Sequence, residues 1–330
     1  MSQPAGAPGA PGEACVSIVI PAYNERESIG PVLAALKSAL ARSPLCYEII
    51  VVDDGSQDGT GEVVQAQHQD VRLLRHHGNQ GYGAALKAGI RHARHNLICI
   101  TDADGTYPNE RIPDLVQYAI DHESDMVVGA RTGANVAIPL ARRPAKWVIG
   151  KLANAAAGES IPDINSGLRL FRRDVALRFF NLLPNGFSFT TTITLGMLTN
   201  GYLVGYVPID YHPRVGKSKI RPIRDTLNFV QLIARMALYF APLKVFLPIS
   251  AFFMLLAVAW GVFSATVLGQ LADVSTLVLV MTAVQIAMVG LLAELVNRRM
   301  PGYREDENAR NERARHERAR NGRGDEAGHG

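Results

Sequence analysis

An α/β domain with a mostly parallel sheet, followed by an amphipathic helix and a two-helix transmembrane hairpin, is the architecture this sequence predicts. Three observations predict it. From Val16 to about Pro208, short apolar runs alternate with stretches of helical spacing. Two long segments without a charged residue follow, Val245 to Leu268 and Val274 to Ala293. Arg and Lys residues gather outside both ends of that pair.

The elements follow in chain order. Residues 1–13 are rich in Pro, Gly and Ala, have no apolar h-region, and read as a loose tail rather than a signal peptide. Val16–Ile20, Glu48–Val52, Val71–Leu74, Leu97–Thr101 and Asp125–Gly129 read as strands. Arg26–Ala41, Thr60–Gln69, Tyr82–His95 and Asn109–His122 read as the helices between them. In such sheets ligands sit outside the carboxyl ends of the strands. Here four strand ends run into polar or glycine-rich segments: Pro21–Glu25, Asp53–Ser56, Asp102–Gly105 and Gly129–Arg131.

The second half changes character. Phe229, Val230, Ile233, Met236, Ala237 and Phe240 share one helical face, with Arg224, Asp225, Asn228, Gln231 and Arg235 elsewhere. That is an amphipathic helix suited to a bilayer interface. Each uncharged segment is long enough to cross roughly 30 Å of hydrocarbon at about 20 residues per span. Arg221, Arg224, Arg235 and Lys244 precede the hairpin, and Arg298, Arg299 and Arg304 follow it, which predicts a multi-pass cell-membrane protein with its main domain and both ends in the cytoplasm. The expected division is therefore a tail at 1–13, an α/β domain at 14–220, an interfacial helix at 221–241, a hairpin at 242–297 with spans near 245–268 and 274–296, and a charged, apolar-poor tail at 298–330.

Composition narrows the partners. The chain of 330 residues is 48% hydrophobic and carries a formal charge of +4 from 34 basic and 30 acidic residues. That dispersed excess does not argue for nucleic acid; a membrane surface or a phosphorylated substrate accounts for it. Cys15, Cys46 and Cys99 lie in or beside apolar runs without paired spacing and read as buried thiols in a reducing compartment. A homo-oligomer is compatible with the sequence, which does not fix the number of copies.

Asp102-Ala103-Asp104 follows the apolar run Leu97–Thr101. Two carboxylates at a strand end can converge on one hard cation, Mg²⁺ or Mn²⁺, which keeps substrate phosphate oxygens in its shell. A nucleotide-sugar pyrophosphate is the natural partner, because a cation there neutralises charge on a leaving nucleoside diphosphate. Asp53 and Asp54 close a neighbouring strand, where acidic and hydroxyl side chains can bind ribose or base groups. Tyr23 offers a ring to a base, and Glu25 a carboxylate. Gly78–Gly83 resembles a dinucleotide loop, but residue 86 is Leu and the run comes third in strand order; it reads instead as a tight turn at a helix start.

These motifs together resemble the inverting glycosyltransferase family 2, which has the GT-A nucleotide-sugar-binding fold. The likeness rests on Ser17–Ile20 running into Pro21–Glu25, on Val51–Ser56, and on Asp102–Asp104, and it covers about Val16 to Lys219. Within the family the chain looks most like the dolichyl- or polyprenyl-phosphate sugar synthases, such as dolichol-phosphate mannose synthase. Gly129–Arg131, Asp163–Arg169, Arg214–Lys219 and the hairpin carry that likeness. The resemblance implies inverting transfer of a hexose from a nucleotide sugar (UDP-glucose, another UDP-sugar or GDP-mannose) to a polyprenyl phosphate at the cytoplasmic face. It implies that Pro21, Tyr23, Glu25, Val51 and Asp53 hold the nucleoside, and that Asp102 and Asp104 hold the metal with Ala103 against the nucleotide. Arg214 and Lys219 would reach the donor pyrophosphate. Arg131 would face the lipid phosphate, with Ser166 and Arg169 and a second cation from Arg142, Arg143, Lys146 or Lys151; Arg143 and Lys146 are the pair expected.

Two departures stand out. Those synthases read Asp-x-Asp-Leu-Gln, with the Gln ligating the metal, whereas Gly105-Thr106 stands here, so the expected third ligand is the Thr106 hydroxyl or a water in its place. The stretch after Arg131 also does not align cleanly. Catalysis would rest on Asp104 and Arg131, with Asp163 as a base if the acceptor were a hydroxyl. That alternative, a family 2 enzyme building a polysaccharide or glycolipid, is disfavoured because the Gln-x-x-Arg-Trp motif of processive members is absent.

Overall fold

Strand formation begins where β-branched residues run unbroken. In the computed structural model, which describes residues 14–132, 161–186, 188–211, 238, 242–267, 269 and 273–297, β1 (Cys15–Ala22) and β2 (Cys46–Asp53) are the longest strands. Val16, Ile18, Val19 and Ile20 are all fully buried, so β1 is covered on both faces, as the centre of a parallel sheet requires. β3 (Arg72–Arg75), β4 (Leu97–Ile100), β5 (Met126–Ala130), β6 (Arg169–Arg172) and β7 (Val204–Pro208) complete a seven-stranded sheet of order β3-β2-β1-β4-β6-β5-β7. Only β6 runs against its neighbours, pairing antiparallel with both β4 and β5.

The helices cover this sheet through apolar stripes. On α1 (Arg26–Leu40), Ile29, Leu33, Leu36 and Leu40 recur at helical spacing and enter the core. α2 (Thr60–Gln67), α3 (Tyr82–His92) and α4 (Ile112–Asp121, preceded by a 3-10 turn at Asn109–Arg111) fill the expected crossovers. α3 lies close on β1 because Gly89 has no Cβ to strike the Val19 side chain. The short α5 (Arg173–Arg178) and α6 (Phe189–Thr199) were not anticipated from the sequence, nor were β6 and β7.

The second unit is a helical hairpin. α7 (Pro242–Val267) and α8 (Asp273–Asn297) include two stretches long and apolar enough to cross a membrane, with mean hydropathy 2.2 in each. Large side chains face outward: Phe252 is 61% exposed, Leu255 69% and Val274 77%. Between the helices lie small and polar groups instead. Ala257 and Ala283 are buried, and Ser250 donates to the Ala283 carbonyl at 2.8 Å. A Cβ on Gly290 would lie 2.6 Å from that of Phe246. Small residues in contact and bulk outside is the packing of helices whose solvent is lipid.

The expected tails at 1–13 and 298–330 lie outside the described residues, as do Arg142, Arg143, Lys146, Lys151, Arg214, Lys219 and all of the expected interfacial helix but Leu238.

Candidate active site

Three strand ends lay out the site. At the end of β1 the chain turns through Asn24, which takes a left-handed φ of 55°. This turn is stitched to the β2–α2 loop: the Asn24 N–H donates to Ser56 Oγ (3.0 Å), the Glu25 N–H to Thr60 Oγ1 (2.9 Å) and the Arg26 N–H to Asp58 Oδ2 (3.0 Å). Burial works to raise the Asp58 carboxyl, but its bonds to Thr60 and Arg26 hold it below the usual range. Tyr23 is left exposed at the rim, while Glu25 accepts from Ser28 Oγ at 2.8 Å.

Successive residues at a strand end point to opposite sides, and Asp53 and Asp54 divide accordingly. Asp53 turns its own loop, accepting the Ser56 N–H at 2.9 Å. Asp54 accepts from the Gln80 and Gly81 N–H groups (3.0 and 2.8 Å) and contacts His76 Nδ1 at 2.7 Å. It therefore organises the glycine-rich run that starts α3. Gly55 must be glycine: its φ is 76°, and a Cβ would lie 2.6 Å from the Gly78 backbone. That explains the run at 78–83 without a dinucleotide.

At the end of β4 stand Asp102 and Asp104. The half-buried Tyr82 donates from its hydroxyl to Asp102 Oδ1 at 3.0 Å. Burial first, and the Asp102 charge second, keep that phenol protonated well above its usual range. Gly167 passes so close that a Cβ would lie 2.8 Å from Asp102 Oδ2. Asp104, 9% exposed, accepts on Oδ1 from the Thr106 N–H (3.1 Å) and hydroxyl (2.7 Å). Thr106 thus orients Asp104, and in this arrangement its hydroxyl proton is spent on that carboxylate.

A second pair lies beyond. Arg131 grips Asp163 with Nε on Oδ2 (2.7 Å), Nη2 on Oδ1 (3.0 Å) and its own N–H on Oδ2 (3.1 Å). Burial alone would raise the Asp163 carboxyl, but this bidentate contact holds it below the usual carboxylate range. The guanidinium lies 5.2 Å over the Tyr211 ring, and Tyr211 meets Tyr107 edge-on at 5.4 Å. Tyr107 Oη accepts the Gly167 N–H at 2.6 Å. One continuous set of contacts thus runs from Asp102 through Gly167, Tyr107 and Tyr211 to Arg131 and Asp163.

Several expected site residues have other tasks. Arg169 is fully buried and cannot meet an acceptor phosphate. Its guanidinium donates to the Ser166, Thr190 and Ile164 carbonyls and to Thr194 Oγ1, tying α6 and the 164–166 loop to β6. Ser166 is also fully buried, donating to the Gly129 carbonyl at 2.5 Å. Val51 lies at 0% exposure inside β2, with β1 and β3 on either side, so its side chain reaches no ligand. Ala103 packs into the core, and Pro21 is buried in β1. Asp163, with both oxygens engaged by Arg131, is placed as a positioning group rather than a base. Sequence reasoning missed Tyr82, Tyr107 and Tyr211. Only Tyr107, three residues past Asp104, carried any signal of place.

Residues 17–180 match the family model Glycosyl transferase family 2, and residues 241–298 match the GtrB C-terminal hairpin. The chain is similar to the dodecaprenyl-phosphate galacturonate synthase of Rhizobium johnstonii, 29% identical over 88% of this chain and 89% of that one. It is similar to the undecaprenyl-phosphate mannosyltransferase of Micrococcus luteus, 30% identical over 62% and 87%. It is also similar to the dolichyl-phosphate beta-glucosyltransferase ALG5C of Trichomonas vaginalis, 32% identical over 70% and 73%. Among solved structures, the fold resembles glucosyl-3-phosphoglycerate synthase from Mycobacterium tuberculosis in complex with Mn²⁺, UDP and glucosyl-3-phosphoglycerate, at TM-score 0.53 and 19% identity over 69% of this chain and 80% of that one. The fold is GT-A, and the two C-terminal apolar helices make this a membrane protein.

Proposed function

The chain belongs to glycosyl transferase family 2, and we propose that it transfers a hexose from a UDP- or GDP-sugar to a polyprenyl phosphate at the cytoplasmic membrane face, with inversion. The observation that carries this reading is the unbroken set of contacts joining Asp102 to the Arg131–Asp163 pair. It holds a donor-side carboxylate and an acceptor-side cation in fixed relation.

A divalent cation fits the donor side. Asp102 and Asp104 present oxygen atoms only, which suits Mg²⁺ or Mn²⁺. Gly167 leaves open the space against Asp102 that any side chain would fill. Tyr82 and Thr106 orient the two carboxylates from behind. When bound, such an ion supplies charge neutralisation for a departing nucleoside diphosphate.

The acceptor chemistry asks little of the protein in proton transfer. A phosphomonoester has a second pKa of about 6, so its attacking oxygen is already largely anionic at neutral pH. No base is needed, which suits an Asp163 committed to Arg131. Arg131 has further N–H capacity for a phosphate, and its place over Tyr211 fixes the plane in which it donates. The remaining work is positioning two anions side by side. Tyr23 and Asp53 are assigned to the nucleoside, and Arg214, Lys219, Arg143 and Lys146, outside the described residues, to the two phosphates. The basic flanks of the hairpin support a cytoplasmic position for both termini.

The test is to incubate membranes carrying the protein with labelled UDP- and GDP-hexoses and added polyprenyl phosphate. Label from one nucleotide class is expected in an organic-extractable, mild-acid-labile lipid. Label entering only polysaccharide or free sugar would overturn the acceptor assignment.

A further inference from the structure

Three side chains that the transfer chemistry leaves unused meet at the opposite edge of the sheet. β1 and β2 pair in register from their first residues, so Cys15 stands beside Cys46. Ser17 and Glu48, two residues further along, share that face with them. His95 enters from the loop between α3 and β4. The sulfur atoms of Cys15 and Cys46 and a ring nitrogen of His95 all lie within 4.8 Å of one another. Among the described residues this is the one such group of potential metal ligands. The strands run about 23 Å from here to Asp53, at roughly 3.3 Å per residue.

The site is built rather than incidental. Ser17, fully buried, donates from Oγ to Glu48 Oε1 at 2.6 Å and accepts the His95 N–H at 3.1 Å. The same Glu48 oxygen accepts the Arg94 N–H at 2.5 Å, and Glu48 is 7% exposed. A buried polar pair directly beneath the thiols therefore fixes the backbone at 94–95 and delivers the His95 ring to the two cysteines. Cys15 and Cys46 are themselves half-buried, not buried as the sequence suggested; only Cys99 is in the core.

We propose that Cys15, Cys46 and His95 form a Cys₂His site for a thiophilic divalent cation, with Zn²⁺ the ion of choice. Two thiolates and an imidazole suit borderline-soft Zn²⁺, whereas Mg²⁺ and Mn²⁺ prefer the all-oxygen Asp102/Asp104 set. The fold thus sorts two classes of cation to its two edges. Zn–S bonds of about 2.3 Å and Zn–N bonds of about 2.1 Å imply tetrahedral ligand separations of roughly 3.6 to 3.8 Å. The observed spacing, within 4.8 Å, exceeds these by at most about 1 Å, a gap within the range of side-chain rotation. Binding releases the two thiol protons to solvent, leaves a fourth position to water, and clasps the starts of β1 and β2 to the loop that feeds β4. It is a structural clasp, separate from the transfer reaction.

The experiment uses the full chain, purified in detergent, reduced and freed of metal, and titrated with Co²⁺ in excess Mg²⁺. A thiolate-to-cobalt charge-transfer band saturating at one equivalent and displaced by Zn²⁺ is expected. It should vanish in Cys15→Ser and Cys46→Ser, weaken in His95→Ala and persist in Cys99→Ala. In the unmutated protein, Zn²⁺ should also slow alkylation of Cys15 and Cys46 at least tenfold, as read by peptide mass spectrometry, so the test does not depend on variants folding. A saturating titration without the band, a band that survives in the Cys15→Ser/Cys46→Ser double variant, or alkylation unchanged by Zn²⁺ would each overturn the proposal.

Discussion

The α/β unit and the hairpin handle the same side chains in opposite ways. In the first, Leu33, Ile50 and Phe171 are buried, and charged groups that enter the interior do so fully bonded, as Arg169 and Asp163 do. In the second, leucine and phenylalanine point outward, and alanine, glycine and serine fill the seam. One unit is held by excluding water from apolar groups. The other cannot use that force between its helices, because its surroundings are as apolar as its own surface, and relies on close contact and a few hydrogen bonds. Polar atoms are therefore structural liabilities in the first unit unless paired, and part of the cohesion of the second.

That contrast can be broken at either unit alone. The largest effect is expected from Asp104→Asn, which removes a charge aimed at the donor site: transfer should fall by about 10³-fold, while membrane fractionation, which reads the hairpin, stays unchanged. Retention of transfer at saturating Mn²⁺ would refute the assignment. Next comes Asp163→Asn, which strands the Arg131 guanidinium and should cost about 3–5 kcal/mol in denaturant unfolding of the α/β unit. The same pair sets an acid limit. Because the Asp163 carboxyl is held below its unfolded value of about 3.9, its contribution is complete above that pH and is lost as pH falls through the lower folded value. The acid limb of an unfolding curve should flatten in Asp163→Asn relative to the parent; an identical limb would mean the pair carries no linkage.

In the hairpin, Gly290→Leu places a side chain against Phe246 and should destabilise the helix pair by about 1–3 kcal/mol. Transfer by the soluble part of the assay is not the readout; resistance of the hairpin to protease in detergent is. The smallest effect is expected from Tyr82→Phe, which removes one neutral donor from Asp102 at about 1 kcal/mol. It should raise the Mn²⁺ concentration for half-maximal transfer a few-fold with little change in thermal midpoint, and no change in metal requirement would leave Tyr82 a packing residue only.

Much of this architecture was readable in advance, and the exceptions share a cause. The first five strands and four helices lie within a few residues of their expected positions, because periodicity and strand-end polarity are local signals. β6 was hidden because Arg169-Leu170-Phe171-Arg172 begins with a charge that looks solvent-bound. Its burial depends on carbonyls contributed by residues 164, 166 and 190, which no local window contains. For the same reason Ser166 and Arg169 looked like ligands for a phosphate and proved to be internal fasteners. The Cys15–Cys46–His95 meeting depends on strand register and was equally invisible. Asp102 and Asp104 were legible because a strand end announces itself; the tyrosines that support them were not.

The reversed strand has one more consequence. Because β6 runs antiparallel to β5, the end of β5, which leads into Arg131, and the approach to β6, which carries Asp163, lie on one edge of the sheet. An excursion that departs and returns on one side can lengthen, shorten or change its charges without shifting any register in the sheet, and loop length itself weighs little on stability. Arg142, Arg143, Lys146 and Lys151 all belong to that stretch. The strand ends that carry Asp102, Asp104 and Arg131 therefore keep their places whatever the length or charge of that connection.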